Sequence, residues 1–166
     1  MALKTDIRGM SWVYPDYFEV GREQVRAFAR AAKYDHPAHF DESAAAELGY
    51  QSLVAPLTFV SILAKIIQDD FFRNVDLGME TMQIVQVDQR LVYHKPLFVG
   101  DKLFGRMDVE SVNERFGADI VVTKNTCTDQ NGELVMSSFT TLMGHEGDDS
   151  IQLRWDKETG QVVRTA

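Results

Sequence analysis

The hydrophobic positions of residues 56–73 predict a helix that is buried on most of its circumference. Apolar side chains cover most of the helical wheel, and the polar ones fall on one narrow stripe: Ser61, Lys65, Gln68 and Asp69. Pro56 suits the first turn of a helix, where its missing N–H costs no hydrogen bond. At 1.5 Å per residue the helix is a rod of roughly 27 Å, and its charges argue against a membrane span. We therefore expect other elements to enclose it.

After residue 81 the hydrophobic period changes from that of a helix to that of a strand. Alternating or β-branched runs at 82–93, 101–112, 119–128 and 134–143 predict four antiparallel strands. Turns are predicted at 115–117 and at Asn131-Gly132, the strongest hairpin signal of the chain. Together with a short strand at 17–20, this pattern predicts an α+β fold in which an antiparallel five-stranded sheet wraps around the long central helix.

The remaining segments predict shorter elements. Residues 1–15 form an irregular lead-in, 23–33 a helix, and 42–48 a short helix with Asp41 as its N-cap and Gly49 as its C-cap. Residues 153–164 have the composition of a small hairpin that turns at 158–160. We therefore divide the chain into a main domain at 1–144 and a polar linker with a possible hairpin at 145–166.

The helix at 23–33 carries a basic stripe at intervals of three or four residues: Arg22, Arg26, Arg30 and Lys33. Such a stripe is usually a solvated helix face. The alternative interpretation is a docking surface for an acidic partner. The sequence alone leaves both open.

Composition narrows the classes of function. The 166 residues fit one domain, and the net charge of −8 argues against non-specific binding of nucleic acid. Cys127 is the single cysteine, so the chain can form neither an internal disulfide nor a cysteine metal cluster. The first residues lack the order of a signal peptide. We therefore expect a cytoplasmic protein with no metal, no cofactor and no membrane span.

Two segments resemble motifs of the MaoC-like family. Residues 34–50, YDHPAHFDESAAAELGY, are similar to the hydratase motif Gly-Asp-x-Asn-Pro-Leu-His, which precedes an acidic residue and a run ending near Gly-Tyr or Gly-Phe. Residues 99–103, VGDKL, are similar to the "P…GD.L" segment that opens the family's third strand. The resemblance extends over nearly the whole chain. It is strongest to mycobacterial (3R)-hydroxyacyl-ACP dehydratase subunits of long-chain type II fatty acid synthesis, through MALKTDIRGM, VAPLTFV, QIVQVDQ and FGADIVVTKN.

The resemblance implies a hot-dog fold and the dehydration of 3-hydroxyacyl thioesters. In the family an Asp and a His five residues later move the protons, and a backbone N–H at the start of the central helix polarises the thioester carbonyl. With Pro37 as the anchor, His39 matches the family His, but Tyr34 stands where the Asp is expected. Asp35 would serve only after a one-residue slip. Pro56-Leu57 replaces the His-Gly of catalytic relatives.

These departures predict a subunit that is catalytically incomplete alone. The resemblance implies a HadB-type partner with the intact Asp/His pair, the two sheets joined edge to edge, and an acyl carrier protein that delivers a long 3-hydroxyacyl chain for mycolic acid elongation. This chain would line the acyl channel with Leu57, Phe59, Ile62, Leu63 and Ile66, although each could instead be ordinary core. The basic stripe of Arg22, Arg26, Arg30 and Lys33 is the candidate docking surface for the acidic carrier protein.

Three alternatives remain open at this point. The chain could be a self-sufficient hydratase that uses Asp35 and His39, or a non-enzymatic acyl-binding scaffold. Asp69 or Asp70 near the end of the central helix would suit a thioesterase. His94 and His145 have no carboxylate or cysteine at metal-ligand spacing and receive no role.

Overall fold

The computed structural model describes residues 3–77, 82–146, 152–156 and 161–165. Eight strands are named in chain order: β1 Ser11–Val13, β2 Phe18–Glu19, β3 Met82–Tyr93, β4 Lys102–Arg115, β5 Ala118–Thr128, β6 Leu134–Glu146, β7 Gln152–Asp156 and β8 Gln161–Thr165. The helices are α1 Arg22–Ala31, α2 Glu42–Glu47 and α3 Ser61–Asn74, with 3₁₀ turns at Pro37–His39 and Leu57–Val60.

The main sheet is antiparallel and has six strands, where the sequence predicts five. Its order is β1-β4-β5-β6-β3, and β2 pairs with the same edge of β4 as β1. The extra strand is β1, which lies in the segment expected to be irregular. Three residues with one Val are too short for a period-2 pattern to be recognised. On the opposite side, β3 is the other edge strand of this sheet.

The prediction for the four long strands is confirmed. The bounds of β3 coincide with those predicted, and β4 buries Leu103, Met107 and Val109 on one side. Gly132 at the second hairpin has φ +78°, while Phe116 and Gly117 form the first turn with φ +55° and +74°. Such left-handed turns match the twist of the strands that they join.

The prediction for the central helix is right about its position and wrong about its start and its burial. Pro56 is extended, with φ −57° and ψ 149°, and precedes a 3₁₀ turn instead of lying in the first turn of an α-helix. Leu63, Ile67 and Phe71 are buried, but Ile62 and Ile66 are only half-buried, which is less burial than expected. Ser61 and Lys65 of the predicted polar stripe are exposed, as expected. The sheet therefore covers one face of α3 and leaves another face open.

Close contact between α3 and β4 depends on Gly105. A Cβ atom at this position would lie 2.2 Å from Cδ1 of Ile67. The lead-in is held to the same helix, because Trp12 Nε1 donates to Asp70 Oδ2 at 2.9 Å and its ring packs edge-on to Phe71. These contacts fix α3 on the inner face of the sheet.

The two short helices before α3 are as predicted. Asp41 caps α2 by accepting a hydrogen bond from Ser43 N at 2.7 Å, and Gly49 has φ +82° just after the helix. Strands β7 and β8 pair with each other, and the predicted turn at 158–160 lies outside the described residues. The division at residue 144 stays a prediction. None of the helices in the described ranges has the length and apolar content needed to cross a bilayer.

Candidate active site

His39 ends the first 3₁₀ turn and is held by the loop that leads to α3. Its side chain has an exposed fraction of 8%, and its Nδ1 lies 2.7 Å from the carbonyl oxygen of Val54. A carbonyl only accepts, so Nδ1 carries the proton and donates. In the neutral imidazole the Nε2 atom is then the one with a free lone pair. The local geometry therefore gives His39 the tautomer that a general base needs.

The carboxylate that would assist such a base is absent from the expected place. Tyr34 packs edge-on to the ring of His39, with ring centroids 5.8 Å apart. Its hydroxyl lies 3.3 Å from Oγ1 of Thr58, in the second 3₁₀ turn. Asp35 is exposed, and in the described part of the chain no hydrogen bond joins His39 to a carboxylate. The loop thus places a phenol at the position where the resemblance led us to expect an acid.

A second phenol holds the entry to α3. Tyr93, the last residue of β3, donates from its hydroxyl to the Leu57 carbonyl at 2.8 Å. Burial, with a smaller contribution from the nearby Tyr34, raises the pKa of Tyr93 above its ordinary value. The phenol therefore stays protonated and remains a donor at neutral pH. Leu57 itself is 63% exposed. A small residue at this position would leave the backbone accessible, whereas the leucine side chain occupies that space.

Three cavities follow one another along α3 on the side of β3 and β6, and the first is an open pocket of ≈340 Å³. Val60 lines this pocket from the second 3₁₀ turn, Tyr93 from β3 and Met136 from β6. His94, to which we assigned no role, lies beside it. The signal that could have identified His94 is its position directly after the strand that ends at the site.

The other two cavities follow along the helix. The middle one is a chamber of ≈300 Å³ that Ala64 and Gln68 line from α3, Gln89 from β3 and Thr140 from β6. Beyond Gln68 lies a narrow apolar cavity of ≈30 Å³ against Phe72. We call these three parts together the α3–β3 trough. Because β3 is an edge strand, the trough lies along the free edge of the sheet.

The residues proposed to contact an acyl chain separate into three groups. Leu57 lines the first pocket, and its role in binding an acyl chain stays a prediction. Phe59 and Leu63 have exposed fractions of 0% and 1%, so they belong to the core and offer no surface to a ligand, which corrects the prediction for both. Ile62 and Ile66 are half-buried and pack against the core away from the trough. These apolar residues were predicted to contact the acyl chain from their chemistry alone. Because α3 is apolar on most of its sides, the sequence does not show which side faces the sheet.

The basic stripe on α1 is largely engaged within the chain. Arg22 is paired with Glu42, and Arg26 binds both Glu23 at 2.7 Å and the Phe40 carbonyl at 2.8 Å. Arg30 lies over the ring of Phe40, 5.6 Å from its centroid. Arg30 and Lys33 remain exposed. These contacts weaken the interpretation of the stripe as a free docking surface.

The two carboxylates considered for a thioesterase also have partners. Asp69 accepts from Lys65 at 2.8 Å, and Asp70 accepts from Trp12. Asp70 thus has a structural role in holding the lead-in. Asp69 lies at the polar chamber, next to its ion-pair partner.

The fold and this loop define a class: an antiparallel sheet around one helix, with a dehydratase-type histidine loop before the helix. Residues 8–138 match the family model described as FAS1-like, dehydratase domain region. The chain belongs to this dehydratase domain family, and its fold is the hot-dog fold.

Relatives and solved structures agree with this assignment. The UPF0336 protein ML1908 of Mycobacterium leprae is 74% identical over 166 residues, which is 100% of each chain. A chain of the C-terminally truncated HadBC (3R-hydroxyacyl-ACP dehydratase) complex from Mycobacterium tuberculosis is 70% identical, with a TM-score of 0.80, covering 85% of this chain and 99% of that one. A MaoC-like dehydratase is 35% identical, with a TM-score of 0.79, over 89% of this chain and 44% of that one.

Proposed function

We propose that this chain is the HadC-type accessory subunit of a heterodimeric (3R)-hydroxyacyl-ACP dehydratase. Together with a HadB-like catalytic partner it would convert 3-hydroxyacyl-ACP to trans-2-enoyl-ACP during long-chain, mycolic acid elongation. The single observation that carries the proposal is the phenol of Tyr34 at the position of the family's carboxylate, packed against His39. The similarity to a chain of the HadBC complex supports the presence of a partner.

The free edge of the sheet is the surface that we assign to this partner. Val85 and Val87 on β3 are 50% and 51% exposed, so the strand presents apolar surface beside its free edge. An exposed edge strand offers unpaired backbone groups to another chain. Pairing at β3 would also place the partner beside the α3–β3 trough. The accessory subunit would then contribute one wall of a channel that the partner completes.

The decisive experiment compares this chain alone, the partner alone and the co-expressed pair in a thioester hydration assay. We expect turnover only from the pair, loss of turnover when the partner's catalytic Asp or His is replaced, and less than a twofold change for His39→Ala in this chain. Failure of the two chains to co-purify would favour a non-enzymatic acyl-binding scaffold and contradict the proposal.

A second candidate is supported by the tautomer of His39, whose Nε2 is free to accept a proton. In that case the chain is a self-sufficient hydratase that uses Asp35 and His39. Turnover by the chain alone that His39→Ala abolishes and Asp35→Asn reduces would establish it. The matched control is His36→Ala, because His36 belongs to the same loop and its ring lies 6.0 Å from that of His39.

For the acyl carrier protein, we propose docking at the exposed end of the basic stripe. Arg30 and Lys33 are the charges to reverse, since Arg26 holds the Phe40 carbonyl and its loss would disturb the loop. Arg30→Glu with Lys33→Glu should weaken carrier binding, and salt should reduce the difference. Unchanged binding at low salt would exclude this surface. A cytoplasmic location and the absence of a metal or cofactor stay predictions.

A further inference from the structure

The middle of the α3–β3 trough is polar, although the proposed function asks it to face an acyl chain. Carboxamide side chains predominate in the lining of this chamber: Gln68, Gln86, Gln89 and Asn125. Hydroxyl groups come from Ser61 and Thr140. A bare hydrocarbon gains little against such a surface, because the polar groups would lose water without gaining a hydrogen bond. The chamber therefore requires a different occupant.

Asn125 is the side chain that points to a ligand. It is 6% exposed, and its Nδ2 is 3.3 Å from Oγ of Ser138, to which it donates. Its Oδ1 is buried and has no hydrogen-bond partner among the described residues. A buried acceptor without a partner is costly and uncommon in native proteins. An occupant of the chamber that donates a hydrogen bond would satisfy it.

The charges of the chamber restrict the occupant further. Lys65 and Asp69 lie at its helix side and neutralise each other, with 2.8 Å between Nζ and the carboxylate. The remaining polar lining groups are amides and hydroxyls, which both donate and accept. An ionic ligand would leave its charge unpaired there. The suitable ligand is a neutral group that donates and accepts at once, such as a hydroxyl or a secondary amide.

We propose that this chamber is a binding site for a neutral hydroxyl or amide group of the ligand that occupies the trough, with Asn125 as the principal acceptor. The inference rests on the proposed function, because that function brings such a ligand to the trough. Two sources have this chemistry: an amide of the carrier's pantetheine arm and a hydroxyl borne by the acyl chain itself. Val60 lines the first pocket and the adjacent Ser61 lines the chamber, so the two cavities lie next to each other along the helix.

The test measures binding by calorimetry to the full-length chain, alone and with its partner. The probes are pantetheine, 12-hydroxystearate and stearate. We expect at least fivefold tighter binding of 12-hydroxystearate than of stearate if the source is the acyl chain. If the source is the arm, we expect saturable binding of pantetheine without that preference. In either case, Asn125→Leu and Thr140→Val should each weaken the binding of the preferred probe at least fivefold.

The matched control is Asn113→Leu, the same substitution at an exposed position of β4 outside the trough. It should leave all three affinities unchanged. Because Asn125 Oδ1 is unsatisfied, Asn125→Leu should keep or raise the melting temperature while it loses binding, and Thr140→Val serves if that variant fails to fold. If Asn125→Leu lowers the melting temperature and leaves the affinities unchanged, the proposal is wrong. It is also wrong if the unchanged chain binds both fatty acids equally and does not bind pantetheine. The latter result would mean that the chamber holds water only.

The same variants separate this inference from the proposed function. Asn125→Leu should raise the KM of the pair for its 3-hydroxyacyl thioester and leave kcat within about twofold, because Asn125 is proposed to bind the ligand and takes no part in proton transfer. If the pair is active but its affinity does not depend on a hydroxyl or amide group of the ligand, the inference about the chamber is wrong and the proposed function stands. If the pair is inactive but its affinity does depend on such a group, the proposed function is wrong and the inference about the chamber stands.

Discussion

Two faces of the same helix differ sharply. One face of α3 buries Leu63, Ile67 and Phe71 against β4, so closely that only a glycine fits at position 105. The other face presents Ser61, Ala64 and Gln68 to the trough. Both faces are built from one stretch of 14 residues. The first is packed within the chain, and the second lines the polar chamber of the trough.

The difference shows which surface the fold needs and which surface it leaves for function. Buried apolar side chains hold α3 on the sheet, and this interaction sets its position. The trough face contributes little to that position, so its residues are free to suit a ligand or a partner. Substitutions on the two faces should therefore separate stability from binding.

The largest expected effect is on the packed face. Ile67→Ala removes a side chain that is 2% exposed, and it should lower the free energy of unfolding by about 2–5 kcal/mol. Gln68→Ala, the adjacent residue on the trough, should change it by less than about 0.5 kcal/mol. Urea unfolding followed by circular dichroism measures both. Similar losses for the two variants would show that the faces are not distinct.

A smaller effect is expected from Gly105→Ala. The added methyl would lie 2.2 Å from Cδ1 of Ile67, and such overpacking should cost about 1–3 kcal/mol. Ile67→Val removes that Cδ1 atom, so the double variant should recover part of the loss. If the double variant instead loses as much stability as the two single variants together, the added methyl does not clash directly with Ile67.

Next in size is the bond that joins the lead-in to the end of α3. Trp12→Phe keeps an aromatic ring against Phe71 and removes the donor to Asp70. Loss of a hydrogen bond to a charged group should cost about 1.5 kcal/mol. Asp70→Asn retains an acceptor and should cost less. An equal or larger loss for Asp70→Asn would mean that the aspartate stabilises the chain through other contacts.

The comparison also explains what the sequence could predict. Period-2 runs and the Asn131-Gly132 turn were sufficient for the long strands, because alternation and turn chemistry are local properties. The start of the helix was missed because Pro56 is equally suited to a helix and to the extended residue before a 3₁₀ turn. Which side of α3 faces the trough depends on packing against Gly105, a contact between residues 38 positions apart. The place of Tyr34 at the expected position of the carboxylate came from the motif alone, and the structure adds its contact with the ring of His39.

The smallest effect is that of the Lys65–Asp69 ion pair, and it is the most informative about the partner. The two side chains are 74% and 39% exposed in the isolated chain, so their coupling energy should be only about 0.3–0.5 kcal/mol and should vanish at high salt. A double-mutant cycle with Lys65→Gln and Asp69→Asn measures this coupling. If a partner at β3 covers the trough, water is excluded from the pair and salt screens it less. In the heterodimer, the coupling energy should then persist at high salt. If it vanishes at high salt in the heterodimer as it does in the isolated chain, the partner lies elsewhere.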